Sequence, residues 1–298
     1  MTSFWGYVTE GCFLLVLSLW WMINTFADIV KCKHATRTFR PKMTYPWPGT
    51  NFPVEIMYKI FVSTFGFFGQ LAYGGGKFYD EEGDFKSMTE LMYMTIYGMF
   101  MLHSVLDLSL WLRAPLVKGS NYASAATGFF WYAFALHSRT DDLEGVQMMV
   151  RTFPVFILLI TSACFVLEPL WSRGFMCCVV RAFCVQTYAT WCFQSAHVLH
   201  GASAFPGSEP NPSWDPKDHR NIAYTAAFFG LHLCINLVLV TATYTATALF
   251  LRMRHGIKVD NEDDITSGYG YKTLSYSDDV KESEHESKVK LLSSYAST

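Results

Sequence analysis

Ionisable side chains inside apolar segments are expensive in a bilayer, so they are the first residues to examine for chemistry. This chain carries Glu10, Glu55, Lys59, Glu90, His103, Asp107, Arg151, Glu168, Arg181, His197, His200 and His232 in such settings. Glu55 and Lys59 stand four apart, as do His103 and Asp107, which puts each pair on one helix face. Arg181 can reach Asp107 or Glu168 from a neighbouring segment. Glu55, Lys59, His103, Asp107, Glu168 and Arg181 therefore read as an intramembrane polar network near one membrane face. Paired charges satisfy one another and can lock helix packing without any ligand.

A second group lies toward the other face. Gln194, His197 and His200 recur every three residues and share a helix side. His197 and His200, joined by Glu90 from another helix, form a candidate zinc site. The plainer alternative is that histidines at a membrane border simply face water. His103 lies about 20 Å or more from His200 in depth at 1.5 Å per residue, so one site cannot use every histidine. No catalytic constellation is recognisable.

These residues must be positioned by membrane helices. The chain has 298 residues, of which 51% are hydrophobic and 16% charged. That composition excludes a disordered chain or a small disulfide scaffold, and a net charge of −2 gives no case for nucleic-acid binding. Apolar runs long enough to cross a bilayer fall at Trp5–Phe26, Phe52–Tyr73, Met88–Leu112, Ser120–His137, Gln147–Trp171, Phe175–Gly201 and Asn221–Leu251. The fourth is the least apolar, but Ser124 and Gly128 allow close helix approach inside a bundle. The expected fold is an all-α membrane protein. Residues 1–252 form a seven-transmembrane helix bundle, and residues 253–298 a flexible, disordered acidic cytosolic tail.

Loop charges set the orientation. Lys31, Lys33, Arg37, Arg40, Lys42, Arg113, Lys118, Arg173, Arg252, Arg254 and Lys258 fall on one side. The other side has only Lys77, Lys86, Arg139, Lys217 and Arg220, beside the acids Asp80, Glu81, Glu82, Asp84, Asp141, Asp142 and Glu144. The N-terminus is thus expected to be luminal or extracellular and the C-terminus cytosolic. The first apolar run lacks a basic flank and a cleavage site, so it reads as a retained span rather than a signal peptide.

None of the eight cysteines falls in a luminal loop, which argues against a disulfide framework. Asn211-Pro212-Ser213 is no glycosylation acceptor, because proline occupies its middle position. The tail is polar and carries Tyr271-Lys272-Thr273-Leu274. Tyr271 and Leu274 have the spacing of a sorting signal read by clathrin adaptors, docked as an added strand with two side-chain pockets. Leu291-Leu292 resembles a dileucine signal, but Ser287 stands where an acid is usual. Asp215 or Asp218 can cap the seventh helix and Trp214 can anchor it at the interface.

Across residues 4–255 the chain resembles the transmembrane protein 45 family. The resemblance rests on Gly6, Gly11, Glu55, Tyr97, Asp107, His137, Arg139 and Glu168. It continues through Thr190, Trp191 and Gln194, then Trp214-Asp215-Pro216-Lys217-Asp218, Asn221, His232 and Arg252. The chain departs from the family's pattern at Tyr7, Glu10, Ala135 and Gln147, where the family's histidines and a proline are usual. The resemblance implies seven spans and residence in the Golgi, endosome or lysosome. Some members are linked to innate antiviral defence, and no reaction is implied.

The expected function is that of a non-catalytic endomembrane protein acting through partners in trafficking or innate defence, with the plasma membrane as the alternative location. The expected partners are the bilayer, a clathrin adaptor at the tail and, as an open alternative, a second copy of the chain. The alternatives are an intramembrane metal-dependent hydrolase using His103, Asp107, His197, His200 and His232, or a proton-coupled transporter using buried carboxylates. A seven-span receptor fits poorly, since the chain has neither Asp-Arg-Tyr nor Asn-Pro-x-x-Tyr at the relevant spans.

Overall fold

A computed structural model describes residues 4–35, 37–76, 79, 88–138, 143, 145–171, 174–200, 215 and 217–255. Trp214, Tyr271, Leu274, Leu291, Leu292 and the remainder of 256–298 lie outside the described residues. So do Lys77, Lys86, Arg139, Arg173, Lys258 and all seven loop acids that bear on orientation.

Seven helices make up the described chain, with no strand among the described residues. They are α1 (Phe4–His34), α2 (Val54–Tyr73), α3 (Met88–Trp111), α4 (Ser120–His137), α5 (Gly145–Leu170), α6 (Met176–His200) and α7 (His219–His255). Five of them, α1, α3, α5, α6 and α7, are long and apolar enough to cross a membrane. The chain is thus a multi-pass, membrane-type helical protein. α1 runs eight residues past the apolar run that ends at Phe26. Its last turn holds Lys31, Lys33 and His34, cations that suit a helix C-terminus. α7 likewise continues past residue 252, where the tail was expected to begin.

The helices pack as neighbours in a defined set. α1 lies chiefly on α6, α4 on α5, α2 on α3, and α7 touches α1, α5 and α6. Small residues permit the closest approaches. A Cβ at Gly11 would sit 2.9 Å from the Ala189 carbonyl oxygen of α6, and one at Gly66 of α2 would run into the Tyr97 ring of α3.

Pro154 sits inside α5. It has no N–H, so the Val150 carbonyl one turn earlier loses its helical partner. Trp191 of α6 donates its Nε1–H to that carbonyl at 3.0 Å. In hydrocarbon this matters, because no water is present to satisfy the freed oxygen.

α2 places polar groups inward and apolar groups outward. Glu55, Lys59 and Ser63 are buried. Met57, Phe61, Phe65 and Phe68 are exposed, with the Phe61 and Phe65 rings stacked at 6.1 Å. A helix in water would show the reverse pattern.

Candidate functional site

The buried charges gather where odd-numbered helices end and even-numbered helices begin. Lys59 lies between two carboxylates, with Nζ 2.7 Å from Glu55 Oε1 and 3.1 Å from Asp107 Oδ2. His103 Nε2 is 3.3 Å from Asp107 Oδ2, and its Nδ1 is 2.9 Å from Ser124 Oγ on α4. Ser124 therefore hydrogen-bonds the network, beyond its small size. Glu55 is further held by the Trp21 Nε1–H at 2.8 Å and the Tyr45 backbone N–H at 2.8 Å.

Arg181 forms a second pair. Its Nη1 is 3.1 Å from Glu168 Oε2 and makes a long contact of 3.8 Å to Met43 Sδ. The pair joins α5 to α6; Arg181 does not reach Asp107. The guanidinium lies between two rings, 4.6 Å from the centroid of Trp21 and 4.8 Å from that of Phe165. Arg181 Nε and Nη2 find no hydrogen-bond partner among the described residues, and the two ring faces offer the guanidinium cation–π contacts instead.

Trp21 links the two pairs. It is 1% exposed, bonds Glu55, and faces both Lys59 (5.5 Å) and Arg181. Three carboxylates (Glu55, Asp107, Glu168) meet two cations (Lys59, Arg181). In a low-dielectric interior such charges persist only when paired and hydrogen-bonded.

The segment between α1 and α2 closes the end of this network. Phe39, Met43 and Tyr45 are buried although they belong to no helix. Tyr45 Oη and Thr25 Oγ1 are 3.0 Å apart. Burial pushes the Tyr45 phenol above its ordinary value, so the hydroxyl stays protonated. Trp47 stacks on Trp20 at 6.0 Å.

Glu10 lies elsewhere on α1, buried rather than at a wetted border. Its Oε1 accepts from the hydroxyls of Tyr132 on α4 and Tyr188 on α6, the latter at 3.0 Å. The two hydroxyls are 2.5 Å apart. Reasoning from spacing missed Trp21, Met43, Tyr45, Tyr132 and Tyr188. The available signal was chemical: a tyrosine or tryptophan deep in a span carries a polar atom that must find a partner.

The candidate zinc residues occupy separate surroundings. His197 is exposed, and the His200 ring packs 5.9 Å from that of Tyr7 on α1. Glu90 lies beside the end of α2, with its Cβ 3.4 Å from the place a Cβ would take at Gly74. Among the described residues no three His, Cys, Asp or Glu side chains are grouped to hold a metal ion.

Trp191 and His232 do meet. Their rings are 5.6 Å apart, in a cluster with Phe153 and Phe229 where α5, α6 and α7 join. Asn236 donates to Thr190 Oγ1 at 2.8 Å in the same region. Gln194 is half-buried one turn along α6. Asp218 caps α7, its Oδ1 accepting from the Arg220 N–H at 2.8 Å, and Asp215 Oδ1 accepts from the Lys217 N–H at 3.0 Å.

Residues 118–245 match a family of unknown function, DUF716. The match takes in α4, α5, α6 and most of α7, and with them Ser124, Glu168, Arg181, Trp191 and His232. No curated protein matches the chain.

Proposed function

We propose that this chain is a seven-span protein of the Golgi, endosome or lysosome. In this reading its N-terminus is luminal and its C-terminus cytosolic, and it acts through partners rather than by chemistry of its own. The observation that carries the reading is where the buried charges go: Glu55, Lys59, Asp107, Glu168 and Arg181 each have a charged partner inside the helical core. Charges held this way tie helices together and are poorly placed to meet a substrate. The resemblance to the transmembrane protein 45 family, with which the DUF716 match is consistent, supports the same assignment.

Two further crossings, by α2 and α4, belong to this proposal. Hydropathy counts Glu55 and Lys59 against α2, although the pair neutralises itself. The exposed phenylalanines of α2, and Phe130 and Phe134 of α4, suit a lipid-facing surface. Partner binding is assigned to the tail through Tyr271 and Leu274. The test is Tyr271→Ala in the full chain, with subcellular distribution and adaptor co-purification as readouts. Redistribution toward the cell surface with loss of adaptor is expected. An unchanged distribution with unchanged partners would refute the trafficking role.

A proton-coupled carrier is the second reading. It is favoured by one observation, a cavity that runs from Glu10 to Lys59 and His103. Proton release or uptake on transport, measured in liposomes, separates it from the first.

A further inference from the structure

A cavity lies between α1 and the α2–α3 hairpin, and the partner-binding role assigned to the tail does not use it. Glu10 and Tyr188 line one end, Lys59 and His103 the other. Leu14, Leu17, Val62, Ile96, Phe100 and Phe129 line its apolar length. Counted by where the centre of a water can sit, its volume is about 90 Å³. Glu10 and Trp21, both in its wall, are about 16 Å apart along α1 at 1.5 Å per residue. Spread over that depth, and widened by a water's radius on each side, the slot is about 5 Å across, the girth of one hydrocarbon chain.

The two ends differ in what they can receive. Lys59 already contacts two carboxylates, so it offers no free cation to an anionic head group. Glu10 is 8% exposed and takes part in none of the ion pairs among the described residues. Among the described residues, the hydroxyls of Tyr132 and Tyr188 donate to it. A carboxylate in an apolar wall with neutral partners is the group an ammonium ion would stabilise most. The tyrosine oxygens can accept the ammonium's remaining hydrogens.

We propose that this cavity binds a single-chain lipophilic amine, with its ammonium on Glu10, Tyr132 and Tyr188 and its chain along the apolar wall toward Trp21. Long-chain bases of the membrane and exogenous alkylamines share this chemistry.

The experiment uses the full chain in nanodiscs and compares the affinities of dodecylamine, 1-dodecanol and dodecanoate. Dodecylamine should bind about tenfold or more tighter than the alcohol, and dodecanoate weakest. Glu10→Gln should remove that preference. Val62→Trp, which fills the slot and leaves Glu10 untouched, should abolish amine binding and serves if Glu10→Gln does not fold. Competition by sphingosine assigns the site to a membrane base, whereas dodecylamine binding that sphingosine does not displace assigns it to exogenous amines. Equal affinity for amine and alcohol would overturn the proposal. So would undiminished amine binding in either variant.

Discussion

Lys59 is the residue on which the charge network depends. Replacing it with Met leaves Glu55 and Asp107 facing each other across an apolar interior. The expected cost is about 3–5 kcal/mol, because an uncompensated buried charge remains. The triple variant Glu55→Gln/Lys59→Met/Asp107→Asn should recover much of that loss, since it removes all three charges together. Unfolding of the three proteins in mixed micelles, read by tryptophan fluorescence, measures both effects. A single variant as stable as the parent would mean that the network does not hold the helices. At this scale the four-residue spacing of Glu55 with Lys59, and of His103 with Asp107, was readable in the sequence. Trp21 was not, because an indole within an apolar run leaves no periodic mark. Tyr132, Tyr188 and Glu10 stand 122 and 56 residues apart in pairs, so only the helix packing brings them together.

Among the helices, α2 depends most on a single neighbour. It packs on α3, and Gly66 lets the Tyr97 ring lie against its backbone. Gly66→Val puts side-chain carbons where that ring sits. Either the ring or α2 must move, at an expected cost of about 1–3 kcal/mol for overpacking. Thermal unfolding checks this: a parent-like melting temperature would contradict the close approach of α2 and α3. The seven helix positions were legible because runs of about 20 apolar residues are a strong signal. The segment before α2 was less so. Arg37, Arg40 and Lys42, with Lys31 and Lys33 at the end of α1, read as a solvated loop, yet Phe39, Met43 and Tyr45 turn inward to cover the charges. Charge patterning sees the cations of such a segment and overlooks the three apolar side chains among them.

For the molecule as a whole, seven crossings require α2 and α4 to span the membrane beside the five longer, more apolar helices. Their polar residues sit where each helix meets others. α2 buries a self-neutralising pair, and α4 is rich in Ala, Ser and Gly because it packs closely on α5. Average hydropathy penalises both features, although neither exposes a charge to lipid. The central claim is tested most directly by glycosylation mapping. The chain has no usable acceptor of its own, so one Asn-x-Thr site can be inserted in each interhelical segment of the full chain. Seven crossings predict glycans on sites between α2 and α3, between α4 and α5 and between α6 and α7. Sites between α1 and α2, between α3 and α4, between α5 and α6 and after α7 should stay unmodified. Five crossings, with α2 and α4 outside the bilayer, would leave the α2–α3 site bare and place a glycan between α3 and α4, and that result would contradict the account.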